Sequence, residues 1–175
     1  LPFRSPVSLK VFEYVQRLSA ARKGVDAGDL LGVLANALID GEPLTEREQG
    51  TFFLLLLIAG NETTRHALGG ALLALAEHPD ALHQLRAQPE LLDSATEEVL
   101  RWTCPQLHFR RTATIDTEVG GMPIAAGDKV VTWYLAANFD PAEFERPYEF
   151  DIARTPNRHV TFGGGGPHLC LGQWM

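Results

Sequence analysis

The stretch Phe162-Gly163-Gly164-Gly165-Gly166-Pro167-His168-Leu169-Cys170-Leu171-Gly172 restricts what this chain can fold into more than any other. Four consecutive glycines and a proline sustain neither a helix nor a central strand, so the backbone there is an irregular loop, bare enough to approach another body closely. The loop delivers one cysteine, and another glycine follows two residues later. A thiolate so placed suits a flat metal-bearing group lying against the backbone, because any side chain would hold a ring away. An axial Cys thiolate on haem iron is such a case.

Other readings of the loop fit less well. Flexible linkers seldom carry Phe, His and Cys at short fixed offsets. A phosphate loop ends in Gly-Lys-Ser/Thr, which is absent, and the chain has no Gly-x-Ser-x-Gly elbow for an esterase. A zinc site built on His168 and Cys170 needs two further ligands at short spacing, and Cys104 is far away in sequence.

A chain of 175 residues suffices for one domain, and 22 acidic against 15 basic residues provide no positive field to gather nucleic-acid phosphates. Two distant cysteines and no charged-then-apolar leader point to a reducing, cytoplasmic setting. The longest apolar run, Phe52 to Ala59, is too short for a membrane span. The chain opens at Leu1 without an initiator Met and stops at Met175, five residues past Cys170, which suggests a fragment.

Periodicity predicts a helix from Leu9 to Lys23 stopped by Gly24, and another from Leu30 to Ile39 ended by Gly41 and Pro43. Thr45-Glu46-Arg47-Glu48 has capping-box spacing, and the next strong stop is His78-Pro79. Between them lies one helix of about 30 residues, roughly 45 Å long. Its flanks are apolar almost all round, which predicts burial.

In the middle of that helix sits Ala59-Gly60-Asn61-Glu62-Thr63-Thr64-Arg65, a polar insert expected to open a local groove. Burying Glu62 for structure alone would be costly, whereas an acid beside an alcohol suits proton delivery to a small ligand. Pro79 to Ala87 reads as a short helix, and Pro89 starts another that reaches Trp102. It carries Glu98-Val99-Leu100-Arg101, a three-residue spacing that by itself reads as an exposed surface pair. After Pro105 come extended segments at Leu107 to Ala113, Glu118 to Ile124 and Lys129 to Tyr134. Adjacent Arg110 and Arg111 in the first point to opposite faces, so either one is free to meet an anion. The stretch Asn138 to Arg158 is Pro-rich and irregular.

The Ala-Gly-Asn-Glu-Thr-Thr helix, Glu-x-x-Arg, the hairpin region with Arg111 and the Cys loop, in that order, resemble the cytochrome P-450 superfamily of haem-thiolate monooxygenases, from about Asp29 onward. The resemblance implies a fold that is mainly α with small antiparallel β hairpins, here its C-terminal part. Residues 1–104 would be the helical part and 105–175 the hairpins, meander and Cys loop of one incomplete domain. It implies heme b with Cys170 as the axial metal ligand, backbone N–H groups of Leu171 and Gly172 tuning the sulfur, and Arg111 and His168 holding propionates. Phe162, Gly163 and Gly172 would line the cofactor. Glu62 and Thr63 would be the catalytic acid and alcohol, and Gly60 would leave room for dioxygen. Glu98 and Arg101 would lock the core to the meander, with Arg154 or a neighbour as third partner.

Two departures from the family pattern stand out. Phe162 lies eight residues before Cys170 rather than seven, as in a subset of members acting on sterols and branched lipids. The meander reads Pro147-Tyr148-Glu149-Phe150, with Glu where many members have Arg. The implied reaction is hydroxylation of an apolar small molecule by dioxygen, with electrons from NAD(P)H through a ferredoxin and its reductase. Leu56, Ala59, Leu107 and Phe109 would be pocket walls or ordinary core. The alternatives are a truncated, haem-free remnant or interaction module, and a peroxide-using or isomerising haem-thiolate protein.

Overall fold

In the computed structural model of this chain, which describes residues 6–25 and 28–174, the elements form two compact units, Leu1–Glu62 and Thr63–Met175. One long helix contributes to both.

The first unit begins with α1 (Pro6–Ala20) and α2 (Leu30–Asn36). The expected glycine stop of α1 is present, since Gly24 has φ +74°. Asp29 caps α2 by accepting the Gly32 N–H at 2.7 Å, and it also binds Arg22 at 2.8 Å. Asn36 then ties the connection together, its amide donating to the carbonyls of Arg22 (2.9 Å) and Gly32 (2.8 Å). The helix ends there and not at Ile39. Ala37 turns extended, and β1 (Leu38–Ile39) pairs antiparallel with β2 (Glu42–Pro43) across Asp40-Gly41, both at positive φ. A two-residue turn of that kind outweighs the helical periodicity of Leu38 and Ile39. Among the described residues of this unit, Val15, Leu34, Ala35 and Leu54 are the buried apolar ones.

Helix α3 (Glu46–Glu77) spans 32 residues. Its start is the expected capping box: the Glu48 carboxylate accepts the Thr45 N–H at 2.8 Å, and Thr45 Oγ1 accepts the Glu48 N–H at 3.3 Å. The predicted burial is corrected. Leu54 and Ala74 are buried, but Leu55, Leu57, Ile58, Leu68, Leu72 and Leu73 are exposed, as are Gly60 and Glu62. Hydropathy reports what a helix needs covered, and the two units of this chain cover only part of it. The helix also runs unbroken through Gly60-Asn61-Glu62-Thr63-Thr64, where a distortion was expected. A single glycine costs about 1 kcal/mol in a helix, too little to interrupt one with so many strong helix formers on either side.

In the second unit, α4 (Pro79–Ala87) follows directly, then a 3-10 turn (Pro89–Leu91) and α5 (Leu92–Thr103). Ala74, Ala95, Phe150 and Ile152 form a core, with Trp102 and His78 rings against Phe150. Strand β3 (His108–Thr112) pairs antiparallel with β6 (Lys129–Trp133), and β4 (Thr117–Val119) with β5 (Met122–Ile124) makes the hairpin between them. A helical turn absent from the sequence reading, α6 (Tyr134–Asn138), closes this region. Residues 139–170 carry no helix or strand, and side chains rather than ladders hold them. Among the described residues, no helix is long and apolar enough to cross a membrane.

Candidate functional site: a thiol loop on a buried ion network

Behind the loop stands the network that the Glu-x-x-Arg spacing marks. Successive turns of α5 bring Glu98 and Arg101 onto one face, and both are 0% exposed. Arg101 Nε and Nη2 each donate to the carboxylate at 2.8 Å, a bidentate pair. Arg154 Nε donates to the same carboxylate at 3.0 Å, as do the Asn157 amide and the Asp151 N–H. Arg101 also binds the carbonyls of Asn138 (2.7 Å) and Pro147 (2.9 Å), and Arg154 those of Glu145 (2.6 Å) and Glu149 (2.9 Å).

The surface-pair reading of Glu98 and Arg101 is therefore wrong. Two cations and one anion, joined by these hydrogen bonds, pin α5 to the segment 138–157. Arg154 is the third partner, and Glu149 faces outward to Arg146 at 2.7 Å.

From this base the chain enters the loop. Gly163, Gly165 and Gly166 have φ of +100°, +99° and +78°, a region in which a side chain is strained. The Gly163 N–H donates to Val160 O at 2.8 Å, and the Cys170 N–H donates back to Phe162 O at 3.0 Å, which closes the loop on its own entrance. A methyl group on Gly172 would touch Cys170 Sγ at 3.6 Å, so the glycine leaves the sulfur unobstructed on that side. Leu171–Trp174 continues as a 3-10 turn, and Cys170 itself is exposed.

The two thiols differ in character. Cys104, at the left-handed C-cap of α5, is fully buried, and burial pushes its thiol up to about 11. It is a core residue. Cys170 is the accessible one.

The donor set agrees with the chemistry suggested by the loop. No group of three or more His, Cys, Asp or Glu side chains able to hold a metal ion occurs among the described residues. A lone accessible thiol suits a metal that brings its remaining ligands with it, as an iron porphyrin does, and does not suit a bare zinc ion needing three more protein donors.

The other expected residues are placed as follows. His168 and Arg111 are exposed in the second unit, Arg111 lying over the Phe109 ring at 5.7 Å. Every residue of β3 is exposed, so the alternation of Arg110 and Arg111 does not turn one of them inward. Phe162 and Gly163 are half-buried. Thr63 is half-buried and Glu62 exposed on consecutive positions of α3. Asn138, Thr161, Glu97 and His159, which also hold the loop entrance, carried no recognisable motif; a polar residue closing an otherwise apolar Tyr-Leu-Ala-Ala turn was the one available signal.

Comparison with known proteins agrees with this geometry. The family model described as Cytochrome P450 matches residues 16–175. Cytochrome P450 126 of Mycobacterium tuberculosis is 49% identical over 166 residues, covering 93% of this chain and 40% of that protein. The methyl-branched lipid omega-hydroxylase of Mycobacterium bovis is 44% identical over 167 residues, covering 95% and 39%. Among solved structures, a Mycobacterium marinum cytochrome P450 in complex with pseudoionone superposes with a TM-score of 0.88 at 41% identity, covering 94% of this chain and 40% of that one. The chain thus spans about 40% of the length of the relatives it matches. Fold, thiol loop, ion network and matched sequence agree: this chain belongs to the cytochrome P450 family.

Proposed function

We propose that this chain is the haem-binding part of a monooxygenase that inserts one oxygen atom from dioxygen into a C–H bond of an apolar substrate, the second atom leaving as water. Two electrons would come from NAD(P)H through a ferredoxin and its NAD(P)H-dependent reductase, in the cytoplasm. The observation that carries this reading is Cys170: an accessible thiol at the end of a glycine loop, with no companion metal ligands among the described residues.

Cys170 would hold heme b through its thiolate, and Phe162, Gly163 and Gly172 would leave the loop bare enough to admit the cofactor. Arg111 and His168 would bind the propionates by charge and hydrogen bonding. Thiolate-ligated haem iron, when bound, supplies cleavage of the O–O bond. The chain's own part in the chemistry would be proton supply: the Glu62 carboxyl and the Thr63 hydroxyl, consecutive on α3, would serve as acid and relay, with Gly60 leaving space beside them. Leu107 and Phe109, apolar and exposed in this chain, would help to exclude water. A branched lipid or sterol is the substrate class we favour. The eight-residue Phe162 to Cys170 spacing and the 44% identity to a methyl-branched lipid omega-hydroxylase support it.

The test is Thr63→Ala in the haem-loaded protein. Cofactor content should stay the same, while hydroxylated product per NAD(P)H consumed falls and hydrogen peroxide accounts for the difference. Unchanged coupling would remove Thr63 from the proton path.

A further inference from the structure

We propose that His159 is a positioning residue for Cys170, an inference that rests on Cys170 being the haem ligand. Residues 159–162 lead into the loop and belong to no helix or strand. Side chains satisfy their polar groups instead. Val160 N–H donates to Asn138 Oδ1 at 2.9 Å, and Thr161 Oγ1 accepts from Asn138 Nδ2 at 2.9 Å while donating to Leu100 O at 2.8 Å. The Thr161 N–H donates to His159 Nδ1 at 3.3 Å. Because Nδ1 accepts, the imidazole proton sits on Nε2, and that atom lies 2.9 Å from the Glu97 carboxylate. One neutral tautomer serves both contacts. The side chain is 4% exposed, and its ring meets Phe162 at 5.9 Å.

Past Phe162 the loop has little means of fixing itself, since three of its four glycines occupy the left-handed region. Cys170 is held at its amide by the Phe162 carbonyl. His159 therefore acts at one remove: it fixes the Thr161 backbone and the Phe162 ring, and Phe162 holds the cysteine. Glu97, half-exposed on α5, sets the orientation of the imidazole.

The test compares His159→Phe, which keeps a ring beside Phe162 but removes both polar contacts, with Glu97→Gln, which retains an acceptor for Nε2–H. Amide hydrogen exchange is followed on the full haem-free chain. Exchange in residues 162–172 should accelerate about tenfold in His159→Phe, on the scale of one or two lost hydrogen bonds. Exchange in α5 should not change, and Glu97→Gln should match the parent. Unaltered loop exchange, or equal acceleration throughout the chain, would overturn the proposal.

Should His159→Phe fail to fold, Glu97→Ala frees the imidazole without touching the core. It is expected to give a smaller acceleration, roughly threefold, confined to the same segment; none would overturn the proposal. A second readout is the ferrous carbonyl spectrum of the haem-loaded protein, in which His159→Phe should lower the fraction of thiolate-shifted Soret band. A parent protein without that band would refute the haem-thiolate reading itself, a failure distinct from unaltered exchange.

Discussion

Glu98→Ala tests the energetic base of the site. The carboxylate is 0% exposed and accepts five hydrogen bonds, from Arg101 Nε and Nη2, Arg154 Nε, Asn157 Nδ2 and the Asp151 N–H, at 2.8 to 3.0 Å. Summing five charge-assisted bonds at about 1.5–3 kcal/mol each would match or exceed the stability of a whole domain, about 5–15 kcal/mol, so simple addition overcounts. The deciding term is the guanidinium of Arg101, equally buried and left with carbonyl partners alone. Breaking a buried pair from one side costs about 3–5 kcal/mol. With a urea slope of about 1–3 kcal/mol per M, the unfolding midpoint followed by circular dichroism should fall by roughly 2 M. Glu98→Leu combined with Arg101→Leu should lose less than the sum of the two single changes, because Arg101 leaves together with its partner and Arg154 alone is left without the carboxylate. Glu149→Ala, which removes an exposed partner of Arg146, should cost about 0–1 kcal/mol. A Glu98→Ala loss below about 1 kcal/mol, or additivity in the double variant, would refute this account of the network.

Three further predictions concern other residues. A Cβ at Gly70 would collide with Thr103 Cγ2, whereas one at Gly60 meets nothing within 4 Å. Gly70→Ala should therefore destabilise by about 1–3 kcal/mol and Gly60→Ala stabilise by up to about 1 kcal/mol in thermal melts. At pH 8 the Cys104 thiolate fraction is roughly 10⁻³, so iodoacetamide should modify Cys170 alone in the folded chain, as mass spectrometry of the labelled peptides will show. The same shift carries a stability term: the Cys104 thiol is near 9 ordinarily and about 11 when folded, so the unfolded chain gives up its proton first. Stability from this group is complete below pH 9 and falls by roughly 2–3 kcal/mol as pH rises to 11, a slope that Cys104→Ala should abolish in urea titrations.

Local rules made much of this fold legible. The Thr45–Glu48 capping box and the His78-Pro79 stop bound α3, and Pro79 bounds α4, because caps and prolines act within one turn. Glycine turns likewise marked β4–β5. Failures came where distant parts decide. Leu38 and Ile39 follow helical spacing but sit in a hairpin, and Glu98-x-x-Arg101 looks like a surface pair until Asp151, Arg154 and Asn157 arrive from more than 50 residues away. The family resemblance supplied what the spacing of Glu98 and Arg101 did not. The exposed leucines of α3 show the converse: their pattern asks for a cover that this chain only partly contains. The supports of the loop entrance, Asn138 and His159, were illegible because each binds backbone groups that no periodicity marks.

The most direct test of the account is the optical spectrum of the haem-loaded protein after reduction and addition of carbon monoxide, recorded for the parent, Cys104→Ser and Cys170→Ser. A strongly red-shifted Soret band in the parent and in Cys104→Ser, lost in Cys170→Ser, is the result predicted. A parent that binds haem without the shifted band, or a band that survives Cys170→Ser, would contradict the assignment of Cys170 as the thiolate ligand.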